Sequence, residues 1–94
     1  MVYIVDIDGT ICTQEKNYKD AKPIHKNIEK INKLWDEGNV IIYWTSRGHT
    51  SHIDWKELTM NQLLEWGCKY NSLDMNKRSY DFWIDDKALN IDNL

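Results

Sequence analysis

Acidic side chains stand directly after two short apolar runs of this chain. Asp6 and Asp8 follow the first run, and Asp85 and Asp86 follow the last one, over Tyr80 to Ile84. Carboxylates that gather at one place repel each other, and such a cluster persists when a hard cation with oxygen ligands offsets the repulsion. The four carboxylates therefore predict a Mg²⁺ site, since Mg²⁺ binds through a few carboxylates and keeps waters that a phosphate can replace.

Hydroxyl and cationic side chains complete a set that is suited to phosphate chemistry. Thr45 and Ser46 follow another apolar run and can donate hydrogen bonds to phosphoryl oxygens, while Lys77 can supply positive charge. A nucleophile, a metal, hydrogen-bond donors and a cation are the parts of phosphoryl transfer. Arg47 and His49 lie beside Thr45 in sequence, and each is either a substrate contact or an exposed loop residue.

The elements that must position these side chains follow from the apolar periodicity. We predict strands over residues 2–7, 40–44, 68–70 and 80–84, a flap over 10–22, and a short helix within 87–94. One helix begins at Pro23 and ends at Gly38, and a second begins near Asp54 and ends at Gly67. Alternating strands and helices predict an α/β fold with a parallel sheet. Ligands of such sheets bind beyond the carboxyl ends of the strands, where the acidic and hydroxyl residues gather.

With these motifs, the chain resembles the haloacid dehalogenase-like superfamily. Asp6-Ile7-Asp8-Gly9-Thr10 matches its DxDGT signature, Thr45 its second motif, and Lys77 followed by Asp85-Asp86 its third and fourth. Order and separation agree over essentially the whole chain. Three longer stretches are similar to one subgroup, the small capless phosphatases, some of which act in capsule or polysaccharide biosynthesis: residues 20–24, 45–48 and 80–88. Arg78 departs from the pattern, because many relatives have Pro after the motif Lys.

The resemblance implies a role for each motif residue. Asp6 would attack phosphorus and form an aspartyl-phosphate, and Asp8 would protonate the leaving oxygen and then activate water. The metal would be held by Asp6, the backbone carbonyl of Asp8 and Asp85, with Asp86 binding directly or through water. The phosphoryl group would be held by Thr45 and Lys77, and Lys77 would also steady Asp6.

The same resemblance sets the expected architecture. We expect one domain over residues 1–94, a three-layer Rossmann-like α/β fold with a four-stranded parallel sheet in the order 4-1-2-3, and no cap domain. The segments after the first and second motifs are too short to hold a cap beside their predicted helices. The expected site is therefore open, and specificity would come from the flap, the loop after Thr45, a second subunit or a large substrate.

Composition narrows the partners and the compartment. The net charge is −3 without a basic run, which argues against binding nucleic acid through phosphate neutralisation. No apolar run reaches membrane-spanning length. Cys12 and Cys68 are too few for a disulfide framework. We therefore expect a cytoplasmic protein with reduced thiols that acts on a small phosphorylated substrate, as a monomer or a homo-oligomer.

Three functions compete at this point. The leading hypothesis is a Mg²⁺-dependent phosphatase acting on a small phosphorylated metabolite such as a sugar phosphate, with nucleotides, polynucleotide ends or phosphoproteins as alternative substrates. A receiver-like phosphoacceptor module also combines an acceptor Asp with Thr or Ser and Lys around Mg²⁺, but such modules lack DxDGT. A non-catalytic binding protein on a phosphatase fold is disfavoured, because all four motif positions carry competent residues.

Overall fold

The structure, a computed structural model, describes residues 1 to 94 and has an α/β fold. Its regular elements in chain order are β1 (Val2–Val5), α1 (His25–Asp36), β2 (Val40–Trp44), α2 (Lys56–Glu65) and β3 (Ser72–Asp74). Two 3₁₀ turns cover Tyr18–Asp20 and Ile91–Asn93. The strands form a parallel sheet in the order β1-β2-β3, with Ile4 opposite Ile42 and Ile42 opposite Ser72.

One face of the sheet and both helices share a single hydrophobic core. Val5 of β1 and the alternate residues Ile41 and Tyr43 of β2 are buried, as expected for side chains that point to one face. The helices cover this face with three buried side chains: Ile28, Ile31 and Leu63. Each such aliphatic side chain stabilises the fold by about 1.5–3 kcal/mol when it is removed from water. Most of the buried apolar side chains lie on this face of the sheet.

The two predicted helices are confirmed, with boundaries close to those that the sequence indicates. α1 begins two residues after Pro23, and Gly38 lies just beyond its end with a φ of 94°. α2 begins at Lys56, whose backbone N–H donates to Oδ1 of Asp54 at 3.0 Å. Gly67 follows α2 at a φ of 73°, which ends the helix as predicted.

The third strand lies further along the chain than predicted. Residues 68 and 69 hydrogen-bond to the helices rather than to β2: Cys68 N–H donates to the Leu63 carbonyl and Lys69 N–H to Oδ1 of Asn32. Asn71 then aligns the chain with β2, because its amide N–H donates to the Ile41 carbonyl and its Oδ1 accepts the Ile41 N–H. Pairing therefore starts at Ser72.

The predicted fourth strand, Tyr80 to Ile84, is absent, so the sheet has three strands rather than four. Every residue from 78 to 90 is exposed, with Phe82 at 88% and Ile84 at 97%. The segment is held at its start by aromatic contacts, in which the Trp83 ring meets Trp44 and Tyr80 edge to face. The apolar run signals a tendency to be buried, but it carries no information on which surface buries it.

The second face of the sheet is not covered by a helix. Val2 and Ile4 are each 62% exposed, and Val40 is also exposed, so the two helical layers of a Rossmann-like fold are reduced to one here. Trp44 and Trp83, which the sequence analysis placed within strands, are half-buried and exposed respectively. None of the helices is both long enough and apolar enough to cross a membrane.

Candidate functional site

Asp6 lies one residue beyond β1 and pairs with Lys77. Lys77 Nζ is 3.2 Å from Asp6 Oδ1, and the Thr10 hydroxyl is 3.5 Å from Oδ2. The Asp6 side chain is 38% exposed, whereas that of Lys77 is 8% exposed. The carboxylate is therefore accessible to a ligand, and a fixed positive charge lies beside it.

Lys77 is held in this position by its backbone and by three rings. Its N–H donates to the Thr45 carbonyl at 3.1 Å, which ties the loop after β3 to the end of β2. Its ammonium lies 4.9 Å from the Tyr80 ring centroid and 5.8 Å from those of Trp44 and Trp83. Aromatic faces attract an ammonium at such distances, so these rings limit where the charge can lie.

Asp8 lies in a tight turn that returns the chain towards the flap. The N–H groups of Thr10 and Ile11 both donate to the Ile7 carbonyl, and Gly9 N–H donates to the Cys12 carbonyl. Gly9 has a φ of 83°, a conformation that costs little only without a Cβ. The turn leaves Asp6 and Asp8 on either side of the fully buried Ile7.

Thr45 and Ser46 follow β2 at the same edge of the sheet. Thr45 is 1% exposed, its N–H donates to the Asp74 carbonyl, and its Oγ1 accepts the N–H of Arg47 at 3.1 Å. The Thr45 hydroxyl proton remains able to donate. Ser46 is half-buried and accepts the His49 N–H with its carbonyl, and His49 itself is exposed.

Arg47 lies inside the protein rather than at the edge of the site. Its guanidinium donates to both carboxylate oxygens of Asp8, at 2.9 and 2.8 Å, and its side chain has no exposed area. Thr59 and Gln62 of α2 accept from the same guanidinium. Neither Thr59 nor Gln62 was predicted as a site residue, although two polar residues on the buried face of a helix indicate that they bond to a group inside the protein.

Asp85 and Asp86 lie apart from the other two carboxylates. Both are exposed, and Asp85 accepts hydrogen bonds from the Trp83 indole at 3.2 Å and from the Lys87 N–H at 3.1 Å. These bonds, the Trp83 one first, lower the pKa of the Asp85 carboxyl below its usual range. No three His, Cys, Asp or Glu side chains lie together in a way that could hold a metal. The four carboxylates therefore do not form a single cluster as placed, and the Mg²⁺ site stays a prediction.

A large cavity nevertheless connects the two acidic regions. It measures about 1030 Å³ and lies between β1, α1 and the C-terminal segment. Asp6, Lys77 and Asp85 all border it, as do Val2 and Ile4 of β1. The free edge of β1 therefore faces open space that the C-terminal segment surrounds without filling.

Cys12 lies next to Asp8 but is unsuited to act as a nucleophile. It is fully buried, with its Sγ 3.5 Å from Asp8 Oδ1. Burial, and then the charge of Asp8, raises the pKa of the Cys12 thiol to about 12. The thiolate is the reactive form of cysteine, so Cys12 stays protonated and unreactive at neutral pH. Both cysteines are free, as the sequence predicts.

Comparison with known proteins establishes the fold and leaves the activity open. No protein-family model matches the chain, and no curated protein matches it. A crystal structure of a structural-genomics target from Vibrio cholerae is similar over 98% of this chain and 85% of its own, with a TM-score of 0.90 and 22% identity. The α/β architecture therefore occurs in a solved structure, whose name gives no activity.

Proposed function

We propose that this chain is a phosphatase that hydrolyses phosphate monoesters through an aspartyl-phosphate on Asp6. The observation that carries the proposal is the Asp6–Lys77 pair, an accessible carboxylate held 3.2 Å from a buried ammonium at the edge of a large cavity. A phosphoryl group bound to Asp6 would lie directly beside the positively charged Lys77 ammonium. The resemblance of the four motifs to haloacid dehalogenase-like phosphatases supports the same assignment, and a small phosphorylated metabolite such as a sugar phosphate is the proposed substrate.

The chemistry divides into two balanced steps. In the first, an Asp6 carboxylate oxygen bonds to phosphorus, the bond from phosphorus to the leaving oxygen breaks, and Asp8, which enters the cycle as the protonated acid, gives that oxygen its proton. In the second, water attacks the phosphorus of the acyl phosphate, Asp8 takes a proton from it, and inorganic phosphate leaves Asp6. Thr45, Ser46 and Lys77 neutralise and orient the phosphoryl oxygens, which is the main task of a protein in phosphoryl transfer.

The proposed Mg²⁺ requirement rests on a rearrangement of the C-terminal segment. We propose that Tyr80–Ile84 pairs with the free edge of β1 as a fourth strand, giving the sheet order 4-1-2-3. Three observations support this pairing. β1 lacks a partner strand on one side, Phe82 and Ile84 are almost fully exposed, and the space between β1 and the C-terminal segment is open. Pairing would bring Asp85 and Asp86 to the sheet edge that carries Asp6.

The test is a turnover assay over sugar phosphates, nucleotides and phosphopeptides, with Mg²⁺ and with EDTA. We expect turnover in Mg²⁺, none in EDTA, and a loss of at least about 10³-fold in Asp6→Asn, because the amide keeps the shape but is a poor nucleophile. Asp74→Asn is the matched control, since Asp74 is an exposed acid at the end of β3; it should keep its kcat. Wild-type rates in Asp6→Asn would exclude the covalent mechanism.

A further inference from the structure

The Arg47 guanidinium is the most completely bonded polar group near the site. Nε and Nη2 donate to the two oxygens of Asp8, and Nη1 donates to Thr59 Oγ1 at 3.1 Å and to Gln62 Oε1 at 2.6 Å. The remaining Nη2 donor has Cys12 Sγ at 3.9 Å. A guanidinium has five N–H donors, so Arg47 has none left for a substrate phosphate.

The same guanidinium connects the turn of Asp8 to the flap. Its central carbon lies 4.7 Å from the Tyr18 ring centroid, and the Tyr18 ring meets Trp55 edge to face at 5.2 Å. Gln62 Nε2 donates to the Tyr18 carbonyl at 2.7 Å. Thr59 donates its hydroxyl to the Trp55 carbonyl. The loop after β2, the start of α2 and the 3₁₀ turn of the flap are thus built around one side chain.

We propose that Arg47 is the positioning residue of Asp8: it fixes the carboxylate in one orientation and ties that orientation to α2 and the flap. The proposal rests on the proposed function of Asp8 as the proton carrier. A two-pronged contact to both carboxylate oxygens sets the plane of the carboxylate as well as its distance. A lysine ammonium is a single point charge and lacks this fork, so Lys at position 47 would keep the charge but lose the orientation.

The geometry also separates this role from substrate binding. Arg47 is 2% exposed, whereas Asp6 and Lys77 border the cavity. A phosphate could reach the guanidinium only by displacing an acceptor that is already bonded. A residue that acts through Asp8 should therefore affect kcat and leave KM nearly unchanged.

The first experiment compares two leaving groups in Arg47→Lys. An alkyl phosphate needs a proton on its leaving oxygen, whereas p-nitrophenyl phosphate has a good leaving group. We expect kcat to fall by about 10–100-fold for the alkyl phosphate, a part of what acid catalysis supplies. For p-nitrophenyl phosphate we expect the first step, measured as the initial burst of nitrophenolate, to slow by less than about threefold on the same scale. The second step is common to both substrates, so the comparison uses the rate of leaving-group release. Equal losses in that rate on both substrates would mean that Arg47 supports the fold and not the proton transfer to the leaving group.

A second experiment asks whether the effect passes through Asp8. In an Asp8→Asn background the proton carrier is already gone, so adding Arg47→Lys should cost no further kcat. Residues that act as a unit are non-additive in this way. A full additional loss in the double variant would overturn the proposal.

Two further measurements apply if Arg47→Lys does not fold or if the wild type has no phosphatase activity. If Arg47→Lys does not fold, Thr59→Val takes its place, because it removes one Nη1 acceptor and leaves the Asp8 pair intact. Its rate of leaving-group release should show the same dependence on the leaving group as expected for Arg47→Lys, with a smaller loss. Equal losses on the alkyl phosphate and on p-nitrophenyl phosphate would overturn the proposal. If the wild type turns over no phosphate, the proposed function fails, and the positioning role is decided by a crystal structure of the folded variant. We expect the Asp8 carboxylate to leave its wild-type orientation there, and an unchanged Asp8 would contradict the proposal.

Discussion

The two acidic residues of the first motif lie two positions apart, yet their surroundings differ sharply. Asp8 is enclosed: both of its oxygens bond to a buried guanidinium, and its side chain is 14% exposed. Asp6 is open: it has a single cationic partner, is more than twice as exposed, and borders the large cavity. The enclosed region is built from β2, α2 and the flap, and the open region from β1 and the C-terminal segment.

This difference shows that the hydrophobic core supports the Asp8 half of the site and not the Asp6 half. The Asp8 region depends on residues that the hydrophobic core already holds in place, such as Thr59 and Gln62 on the buried face of α2. The Asp6 region depends on residues 78–90, which contribute nothing to the core. A carboxylate that must accept a phosphoryl group needs open space, whereas one that must carry a proton needs a fixed orientation, so the contrast agrees with the proposed roles.

The largest expected effect comes from breaking the enclosed side. Arg47→Met should lower the free energy of unfolding by about 3–5 kcal/mol, because it leaves a largely buried carboxylate without its partner. Urea denaturation of both proteins measures this. Lys69→Met is the matched control, since Lys69 pairs with Asp36 at the same 2.8 Å but both side chains are about half exposed. The control should lose less than about 1 kcal/mol, and a similar loss in both variants would remove the distinction between the two regions.

A smaller expected loss of stability tests whether the C-terminal segment closes the Asp6 region by pairing with β1. If Tyr80–Ile84 pairs with β1, Ile84 becomes buried, and Ile84→Ser should cost about 1.5–3 kcal/mol by urea denaturation in excess Mg²⁺. Leu64→Gln is the control, because Leu64 is 79% exposed on α2 and Gln is a good helix former. If Ile84→Ser costs no more than Leu64→Gln, within about 0.5 kcal/mol, the segment stays exposed and the fourth strand does not form.

The smallest effect concerns the Cys12 thiol beside Asp8. Burial raises its pKa in the folded protein to about 12 from an ordinary value near 9, so between these values the unfolded chain binds fewer protons than the folded one. Stability should therefore be unaffected by this thiol below pH 9 and fall as the pH rises further, by at most about 1.4 kcal/mol per pH unit. Urea denaturation from pH 8 to 11 measures this, and Cys12→Ala should show a shallower decline. Parallel curves for the two proteins would mean that Cys12 is not buried as described.

The sequence predicted the elements whose signals are periodic and locally terminated. α1 and α2 have apolar residues at helical spacing and a glycine after the last turn, and β2 is a compact apolar run between Gly38 and Thr45. The placement of Thr45 and Lys77 at one edge of the sheet follows from the parallel order of β2 and β3. Their backbones meet there, through the bond from the Lys77 N–H to the Thr45 carbonyl.

The remaining features of the fold and of the site depend on contacts between residues that are far apart in the chain. Such contacts cannot be read from a single sequence. Tyr80–Ile84 is as apolar as a strand, but whether it pairs with β1 depends on the balance between edge hydrogen bonds and the contacts that Trp83 makes with Trp44 and Tyr80. Arg47 looks like a loop cation in sequence, and only the approach of α2 encloses it. The third strand shifted because Asn71, a polar residue, aligns it with β2.

The central claim is that Asp6 accepts the phosphoryl group, and the most direct measurement is acid-quenched mass spectrometry after reaction with p-nitrophenyl phosphate and Mg²⁺. The variant to use is Asp8→Asn. p-Nitrophenyl phosphate has a good leaving group and needs no acid in the first step, whereas hydrolysis of the aspartyl-phosphate needs Asp8. We predict one phosphoryl group on the peptide that contains Asp6, removed by hydroxylamine, and none in Asp6→Asn. A phosphoryl group that the wild type acquires but does not hydrolyse would indicate a phosphoacceptor module instead of a phosphatase. Label on another residue, or steady turnover with no label on Asp6 at any quench time, would contradict the account.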